Sequence, residues 1–306
     1  MNPQEPLYPV RWKKLMSQAI ARGLRRVAVM WPCDAETLWA LSEAAGAFIQ
    51  EVFLVGQMET LKSMCNKLGI STAGFSFVDV SDAVATVPMA MELVEAGQAD
   101  LLMSGLMPPD LVLRHFLDER SRLAGGAMPS AVSLLDAPLF ERVVLVADPL
   151  IHVAPNLEEK ADIVRHAVHV AHRVEITEPL VALLSATEVV NPKSPSSLHA
   201  AELSKMAQRG QISGCRVDGP LALDNAVSSE AAAIKGIVGG VAGRADVLIC
   251  SDVESANMLV RIVTWVADAV AATVVVGGRC PIAMPSRSDT SQSKLASLCL
   301  GAALCG

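Results

Sequence analysis

The sequence predicts an α/β fold built on a mainly parallel sheet, and three observations point to it. Short runs rich in Val, Leu and Ile alternate with segments of helix length along the chain. Within most of these runs the apolar residues occupy consecutive positions, as expected where helices cover both faces of a parallel sheet. Aromatic residues make up only 4% of the chain, so aliphatic side chains must build the core. That composition suits close packing of helices on a sheet.

Eight apolar runs are predicted strands. In chain order they span residues 26–30, 51–55, 75–78, 100–103, 142–146, 180–184, 246–250 and 272–276. The segment after the fifth strand shows why the intervening stretches are helical. Asn156 and Glu159 have the spacing of a capping box, and apolar residues then recur every three or four positions as far as Val174. We therefore predict an outer helix with one buried face. A change of composition near residues 136–140 marks the most plausible domain boundary.

Charge and composition exclude several classes of protein. The chain has 306 residues and a formal net charge of −7, with no basic tail, which argues against nucleic-acid binding. No apolar segment is long enough to cross a bilayer, and residues 1–26 lack the apolar region of a signal peptide. The seven cysteines are scattered, with no C-x-x-C pair. We expect free, mostly buried thiols and a cytoplasmic location.

Two polar turns that follow predicted strands are candidate anion sites. Residues 284–293 contain four serines and Arg287, and they precede a segment with helical spacing from Leu295 onward. Unpaired N–H groups at the start of a helix attract anions. A similar turn, residues 104–110, opens a helix that carries Arg114. On spacing alone, an ordinary helix cap explains the first turn slightly better than an anion site.

Two other patterns predict ordinary structure. Residues 239–243 are rich in glycine but lack the G-x-G-x-x-G spacing and precede a strand, so we predict a tight turn. His166, His169 and His172 follow one another at three-residue intervals on the predicted helix, which makes a shared metal conceivable. Neighbouring arginines disfavour a cation there. We predict a solvated helix face and no metal.

Six motifs carry a resemblance that covers nearly the whole chain beyond residue 79. They are residues 191–197, 205–214, 218–226, 241–249 and 252–258 and the Ser-Arg pair 286–287. Together they resemble the phosphate acetyl/butyryltransferase family, most closely its butyryltransferase branch. The resemblance implies an acyltransferase that moves an acyl group between phosphate and coenzyme A. Coenzyme A is then a substrate, and no tightly bound cofactor is expected.

The resemblance also implies an architecture. It is similar to that of isocitrate and isopropylmalate dehydrogenases, with two α/β domains around a cleft. Domain I would be discontinuous, formed by residues 1–138 and 280–306. Domain II, residues 139–279, would form a homodimer.

Site residues follow from the same resemblance. Ser286 would hydrogen-bond the developing oxyanion, and Arg287 would bind the phosphoryl group. The residues implied to bind substrate are Arg114, Ser104, Gly105 and Asp224. A tetrahedral oxyanion and a leaving phosphate both need fixed donors of this kind.

Several positions depart from the family pattern and keep an alternative open. Gln292 stands where an acidic residue is usual, and Pro108 and Pro109 replace the usual turn sequence. Alanines stand in a stretch where the butyryl branch has Arg and His, at positions Ala124, Ala127 and Ala131. An active transferase is the favoured hypothesis. The alternative is a ligand-binding or regulatory paralogue that has lost turnover.

A third hypothesis is a decarboxylating dehydrogenase on the same fold. It would need an Asp-rich metal site, which the sequence lacks. Four isolated carboxylates are better explained as caps or turn residues: Asp148, Asp224, Asp246 and Asp252.

Overall fold

The computed structural model describes residues 12–118, 123 and 128–306. The first part of the chain forms α1 (Trp12–Ala21), β1 (Arg25–Met30), α2 (Ala35–Ala44), β2 (Ile49–Gly56), α3 (Met58–Leu68), β3 (Phe75–Asp79), α4 (Ala83–Glu95), β4 (Leu101–Ser104) and α5 (Pro109–Phe116). The middle part forms β5 (Ser130–Asp136), β6 (Val144–Ala147), α6 (Leu157–Arg173), β7 (Leu180–Leu184), α7 (Pro195–Gln208), β8 (Arg216–Leu221), α8 (Leu223–Val227), α9 (Ser229–Ile234), β9 (Val247–Ile249) and α10 (Val253–Val266). The last part forms β10 (Val270–Val276), β11 (Ile282–Ala283) and α11 (Ser291–Leu304).

The described chain separates into two compact units. The terminal unit consists of Trp12–Pro129 together with Val270–Gly306, and the middle unit is Ser130–Ala269. The boundaries expected from the sequence, after residues 138 and 279, lie further along the chain than these. As a result, β5 belongs to the middle unit and β10 to the terminal unit, the reverse of the expected assignment.

The terminal unit is built on a sheet in the order β3-β2-β1-β4-β11-β10. All neighbouring strands are parallel except β10, which runs antiparallel to β11. The last four residues of β1 are fully buried, as expected for a strand covered on both faces. Helix α11 is buried from Ser293 to Leu304 and packs against β10 and α2. The core of this unit therefore surrounds the last helix.

The middle unit is built on a sheet in the order β5-β6-β9-β7-β8. Strand β5 is antiparallel to β6, and the other pairs are parallel. Helix α6 packs on β5, β6 and β9 and starts with the predicted capping box of Asn156 and Glu159. The α/β class with mainly parallel strands is confirmed, and so is the helix after Asn156.

Three strands and one helix start differ from expectation, since β5, β8 and β11 are not among the eight predicted strands. Strand β5 directly follows Pro129, just before the expected domain boundary, and β8 contains Gly219 and Pro220, which are rare inside strands. Helix α11 begins at Ser291, four residues before the predicted start, because the side chain of Thr290 caps it. Within the described residues, no helix has both the length and the apolar character needed to span a bilayer.

Candidate active site

The candidate residues of the terminal unit follow strands whose carboxyl ends meet at one edge. Strands β1, β4 and β11 are adjacent and parallel, so the segments after them emerge on the same side. These segments are residues 31–34, 104–108 and 284–290. The carboxyl edge is where open α/β sheets bind ligands.

The Ser286–Arg287 pair forms a closed turn at this edge. The backbone N–H of Ser286 donates to Asp289 Oδ2 at 2.8 Å, and the N–H of Asp289 donates to the carbonyl of Ser286 at 3.1 Å. The Ser286 hydroxyl lies 3.2 Å from that of Ser288. Ser286 is half-buried, whereas Arg287 is exposed. The turn thus presents a hydroxyl and a guanidinium to solvent, and both can donate hydrogen bonds to an anion.

The start of α11 is occupied by the protein's own acceptors. The backbone N–H of Ser291 donates to Glu36 Oε2 at 2.8 Å, and that of Ser293 donates to Thr290 Oγ1 at 3.3 Å. The sequence left two explanations of this helix start open, an anion site and an ordinary cap, and these two N–H groups are paired with side chains of the protein. The cap explanation is confirmed, because the side chain of Thr290 caps the helix.

The Ser104–Gly105 turn is pressed against the loop that follows β1. The N–H of Gly105 donates to the carbonyl of Met30 at 2.9 Å, and that of Leu106 donates to the carbonyl of Trp31 at 2.9 Å. A Cβ atom at position 105 would lie 2.4 Å from the Trp31 carbonyl oxygen. Ser104 is only 2% exposed. Glycine at position 105 is therefore required by the close approach of two backbones.

Arg114 stands on the exposed side of α5, the helix that follows this turn. Its side chain is 76% exposed and lies 3.7 Å from Asp110, one helical turn earlier. An exposed pair of this kind is worth well under about 1 kcal/mol, so the guanidinium can leave Asp110 at little cost. It is available to bind an anion.

Asp224 belongs to the middle unit, whereas the other five candidates belong to the terminal unit. Its carboxylate binds the ammonium of Lys235 at 2.9 Å, and Glu188 lies 3.6 Å from the same ammonium. The hydrogen bond from Lys235 lowers the pKa of Asp224, and the same bond raises the pKa of Lys235. Asp224 is thus a charged acceptor that already has a cation beside it.

The other isolated carboxylates act as caps or turn acceptors, as the sequence predicted. Asp252 caps α10 by accepting the N–H of Ser255 at 2.8 Å, and Asp246 accepts the N–H of Leu180 at 2.9 Å. Asp148 accepts the N–H groups of two residues in the turn after β6.

Known proteins resemble this chain over nearly its whole length. The profile described as phosphate acetyl/butaryl transferase matches residues 80–302. The phosphate butyryltransferase of Clostridium acetobutylicum is 37% identical over 295 residues, which cover 96% of this chain and 98% of that protein. The chain belongs to the phosphate acetyl/butyryl transferase family. The predicted resemblance is confirmed.

A second relative and one solved structure also resemble the chain over most of its length. The phosphate acetyltransferase of Thermotoga maritima is 38% identical over 290 residues, covering 95% of this chain and 98% of that protein. The crystal structure of a branched-chain phosphotransacylase from Enterococcus faecalis aligns with a TM-score of 0.79 and 29% identity, covering 92% of this chain and 99% of that one. Nearly equal identity to a butyryl and an acetyl enzyme does not by itself select an acyl chain length.

The positions that depart from the family pattern lie in different settings. Gln292 is half-buried in the first turn of α11, six residues after Ser286. Ala131 is fully buried on β5. Ala124 and Ala127 lie outside the described residues. Among these described positions, Gln292 is the one that lies close in sequence to the Ser-Arg turn.

Sequence reasoning missed the loop after β1 and the buried Lys294. The Nζ atom of Lys294 lies 2.6 Å from Asp34 Oδ1 and 3.0 Å from Thr37 Oγ1, and its side chain is 2% exposed. A signal was present, because Lys294 is the only charged residue in the last thirteen. The spacing of Asp34 and Thr37 also fits a helix cap.

The three histidines of α6 have separate surroundings. His166 bonds the hydroxyl of Ser130 at 2.9 Å, and His172 bonds the carbonyl of Gly214 at 2.8 Å. No group of three or more His, Cys, Asp or Glu suited to a metal occurs within residues 12–118, 123 and 128–306. The Gly-rich segment 239–243 forms the predicted turn before β9.

Proposed function

We propose that this phosphate acyltransferase interconverts acyl-CoA plus phosphate with acyl phosphate plus coenzyme A. The observation that carries the proposal is the Ser286–Arg287 turn, a half-buried hydroxyl beside an exposed guanidinium at the carboxyl edge of a parallel sheet. Relatives named for this chemistry align with at least 95% of the chain.

The reaction needs no covalent enzyme intermediate. In the direction of thioester formation, the sulfur of coenzyme A attacks the carbonyl carbon of the acyl phosphate and a C–S bond forms. The carbonyl π electrons move to oxygen, giving a tetrahedral oxyanion. When the carbonyl re-forms, the C–O bond to phosphorus breaks and inorganic phosphate leaves.

Ser286 and Arg287 stabilise different parts of the negative charge that develops in the transition state. The Ser286 hydroxyl donates a hydrogen bond to the oxyanion, and Arg287 holds the phosphoryl oxygens with its planar fork of N–H groups. Arg114 adds a second cation for the phosphoryl group or for the phosphates of coenzyme A. Ser104 and Gly105 shape the floor of the site in the terminal unit. Asp224, in the middle unit, is assigned to substrate binding by the resemblance to the family alone.

The thiol proton goes to solvent in this chain. The amide of Gln292 cannot accept this proton. Cys33 of the protein is a separate thiol and a poor nucleophile, because burial together with the charge of Asp34 raises its pKa. A thiol of pKa about 8.5 is already a few per cent thiolate at neutral pH. The transfer therefore proceeds without a general base and accelerates as pH rises.

The protein also forms a homodimer in the cytoplasm under this proposal. Helix α10 carries an exposed apolar stripe of Met258, Ile262, Trp265 and Val266, with Trp265 66% exposed. Contiguous exposed apolar residues mark interaction surfaces. Light scattering should give twice the mass of one chain, and Ile262→Asp should shift it to the mass of one chain.

The activity is tested by incubating the purified protein with butyryl phosphate and coenzyme A and following the thioester. Ser286→Ala should lower kcat by roughly 10²-fold, as loss of one oxyanion donor does. Arg287→Gln should raise KM for the acyl phosphate and lower kcat together. The control is Arg165→Gln, an exposed arginine of α6 paired with Asp162, which should leave both constants unchanged. Absence of thioester at every pH up to 9 would refute the proposal.

A second candidate function follows from Gln292. A family member without the usual acid could bind coenzyme A and phosphate as a regulatory paralogue. A rise in melting temperature with coenzyme A, in a protein that forms no thioester, would select this candidate, because a ligand that binds only the folded state stabilises it.

A further inference from the structure

We infer that the loop after β1 together with the first two residues of α2, residues 31–36, is a positioning element that holds both candidate substrate-binding turns in register. The inference rests on the proposed function, because it assigns the loop a part in acyl transfer. None of its residues belongs to the Ser-Arg or Ser-Gly turns themselves. They act through contacts on the two turns.

One end of the loop fixes the Ser104–Gly105 turn through the backbone. The carbonyls of Met30 and Trp31 accept the N–H groups of Gly105 and Leu106, each at 2.9 Å. The two backbones can approach this closely because residue 105 is glycine, since a Cβ there would lie 2.4 Å from the Trp31 oxygen. Trp31 itself has a φ of 50°, which bulky residues rarely adopt. Such a conformation persists only where the surroundings enforce it, and it clusters at functional sites.

The other end of the loop fixes the start of α11 through two carboxylates. Asp34 Oδ1 accepts from the buried Nζ of Lys294 at 2.6 Å and also accepts the N–H of Thr37 at 2.8 Å, so it ties α11 to α2. Glu36 Oε2 accepts the N–H of Ser291 at 2.8 Å. Removing one partner of a buried ion pair leaves an uncompensated charge, so this contact resists displacement.

The Ser286–Arg287 turn lies between two fixed points as a result. On one side β11 pairs with β4 and β10, and on the other α11 is held by Asp34 and Glu36. Only seven residues separate Ala283 from Ser291, and Asp289 among them is buried. The place of the Ser286 hydroxyl is therefore set by the same loop that sets the Ser104–Gly105 turn. Displacing a catalytic group by about 1 Å can cost 10²-fold in rate.

The first experiment compares steady-state kinetics in four variants. Glu36→Ala and Asp34→Asn should each lower kcat about tenfold, with KM for the acyl phosphate changed less than kcat, because the displaced hydroxyl is needed most in the transition state. Glu36→Gln should recover most of the lost kcat, since its amide oxygen can still accept the Ser291 N–H. Asp100→Asn is the matched control, because it weakens a contact of 2.9 Å with Arg26 at the opposite edge of the same sheet. The control should lose melting temperature and keep its kcat.

The second experiment does not depend on activity. Hydrogen exchange should be faster at the amides of Gly105, Ser286 and Ser291 in Asp34→Asn than in Asp100→Asn. If kcat and exchange in Glu36→Ala and Asp34→Asn match the control, the inference is overturned. If the wild-type protein forms no thioester, the proposed function fails on its own, and the exchange rates alone decide whether the loop positions the two turns.

Discussion

At the scale of single residues, the candidate site combines three kinds of position. Ser286 and Arg287 are held by backbone contacts that leave their polar groups accessible, which is what a group that touches substrate requires. Gly105 is fixed by a steric demand that any side chain would violate. Gln292 is the position where, under the proposed function, an amide stands in place of a general base. Each kind predicts a different effect of substitution.

Substitution of Gln292 by Glu should increase the rate of thioester formation. A carboxylate in the first turn of α11 would be stabilised by the helix dipole and could accept the thiol proton. Because a general base contributes about 10²–10⁴-fold when well placed, we expect at least a tenfold rise in kcat near pH 7. The pH profile should flatten above the pKa of the new carboxyl.

The matched control for that experiment is Gln292→Leu. It removes the amide without adding a base, so its kcat should stay near that of the wild-type protein. Equal rates for the Glu and Leu variants would show that position 292 does not reach the thiol.

Substitution of Gly105 by Ala should destabilise the protein by about 2 kcal/mol, the usual cost of overpacking against atoms that cannot move. The clash is with a backbone oxygen. Gly301→Ala is the control, because the nearest atom there is the flexible end of Leu101 and alanine favours the helix. Urea unfolding midpoints measure both changes. A loss at position 105 no greater than at position 301 would contradict the steric argument.

At the scale of secondary-structure elements, polar residues that precede a helix act as its N-terminal cap. Thr290 caps α11, Asp252 caps α10 and Asn156 caps α6. Side-chain oxygens satisfy N–H groups that the helix leaves unpaired. Polar residues at strand-to-helix junctions are thus ambiguous in sequence, since a cap and an anion site use the same residue types.

Substitution of Asn156 by Ala should lower the free energy of unfolding by about 1 kcal/mol. The change removes the bond from the Glu159 N–H to Asn156 Oδ1, at 3.0 Å, and keeps the reciprocal bond from the backbone N–H of residue 156 to Glu159 Oε2. Ser194→Ala at the start of α7 is the control, because the Ser194 side chain makes no cap bond. Chemical unfolding of both variants tests this, and equal losses would argue against a capping role for Asn156.

At the scale of the whole molecule, the pH dependence of stability follows from histidines whose pKa is lower in the folded protein than in the unfolded chain. Burial lowers the pKa of His166, His169 and His199, and the charge of Arg173 or Lys160 lowers the pKa of the latter two further. In the unfolded chain a histidine has a pKa of about 6.5. The unfolded state therefore binds more protons than the folded state once pH falls below that value.

We expect the stability of the protein to fall as pH is lowered from 7 to 5. The carboxyl groups whose pKa is lowered, such as Asp100 beside Arg26, lose their contribution only at more acidic pH, so the two windows are separate. The triple variant His166→Gln, His169→Gln and His199→Gln should have a flatter profile in urea unfolding over this range. An unchanged slope in the triple variant would assign the pH dependence to other groups.

Consecutive apolar residues determined the fold class and eight of the strands from sequence alone, because a strand buried on both faces needs such residues at every position. Ordered motifs identified the family and the Ser286–Arg287 pair. Strand β8 was missed because a Gly-Pro step inside a strand reads as a turn until the neighbouring strand is known. The pattern of residues within a segment predicts its secondary structure well. The prediction fails where pairing with a neighbouring strand determines the structure instead.

Tertiary structure alone decided which groups satisfy the start of α11 and what holds the site in place. Glu36 and Ser291 are 255 residues apart in the chain, and Asp34 and Lys294 are 260 apart, so no local spacing could pair them. Whether an N–H group is free for a ligand depends on which distant side chain folding brings to it. For the same reason the requirement for glycine at position 105 comes from the carbonyl of Trp31, which is distant in sequence and adjacent only after the sheet has formed.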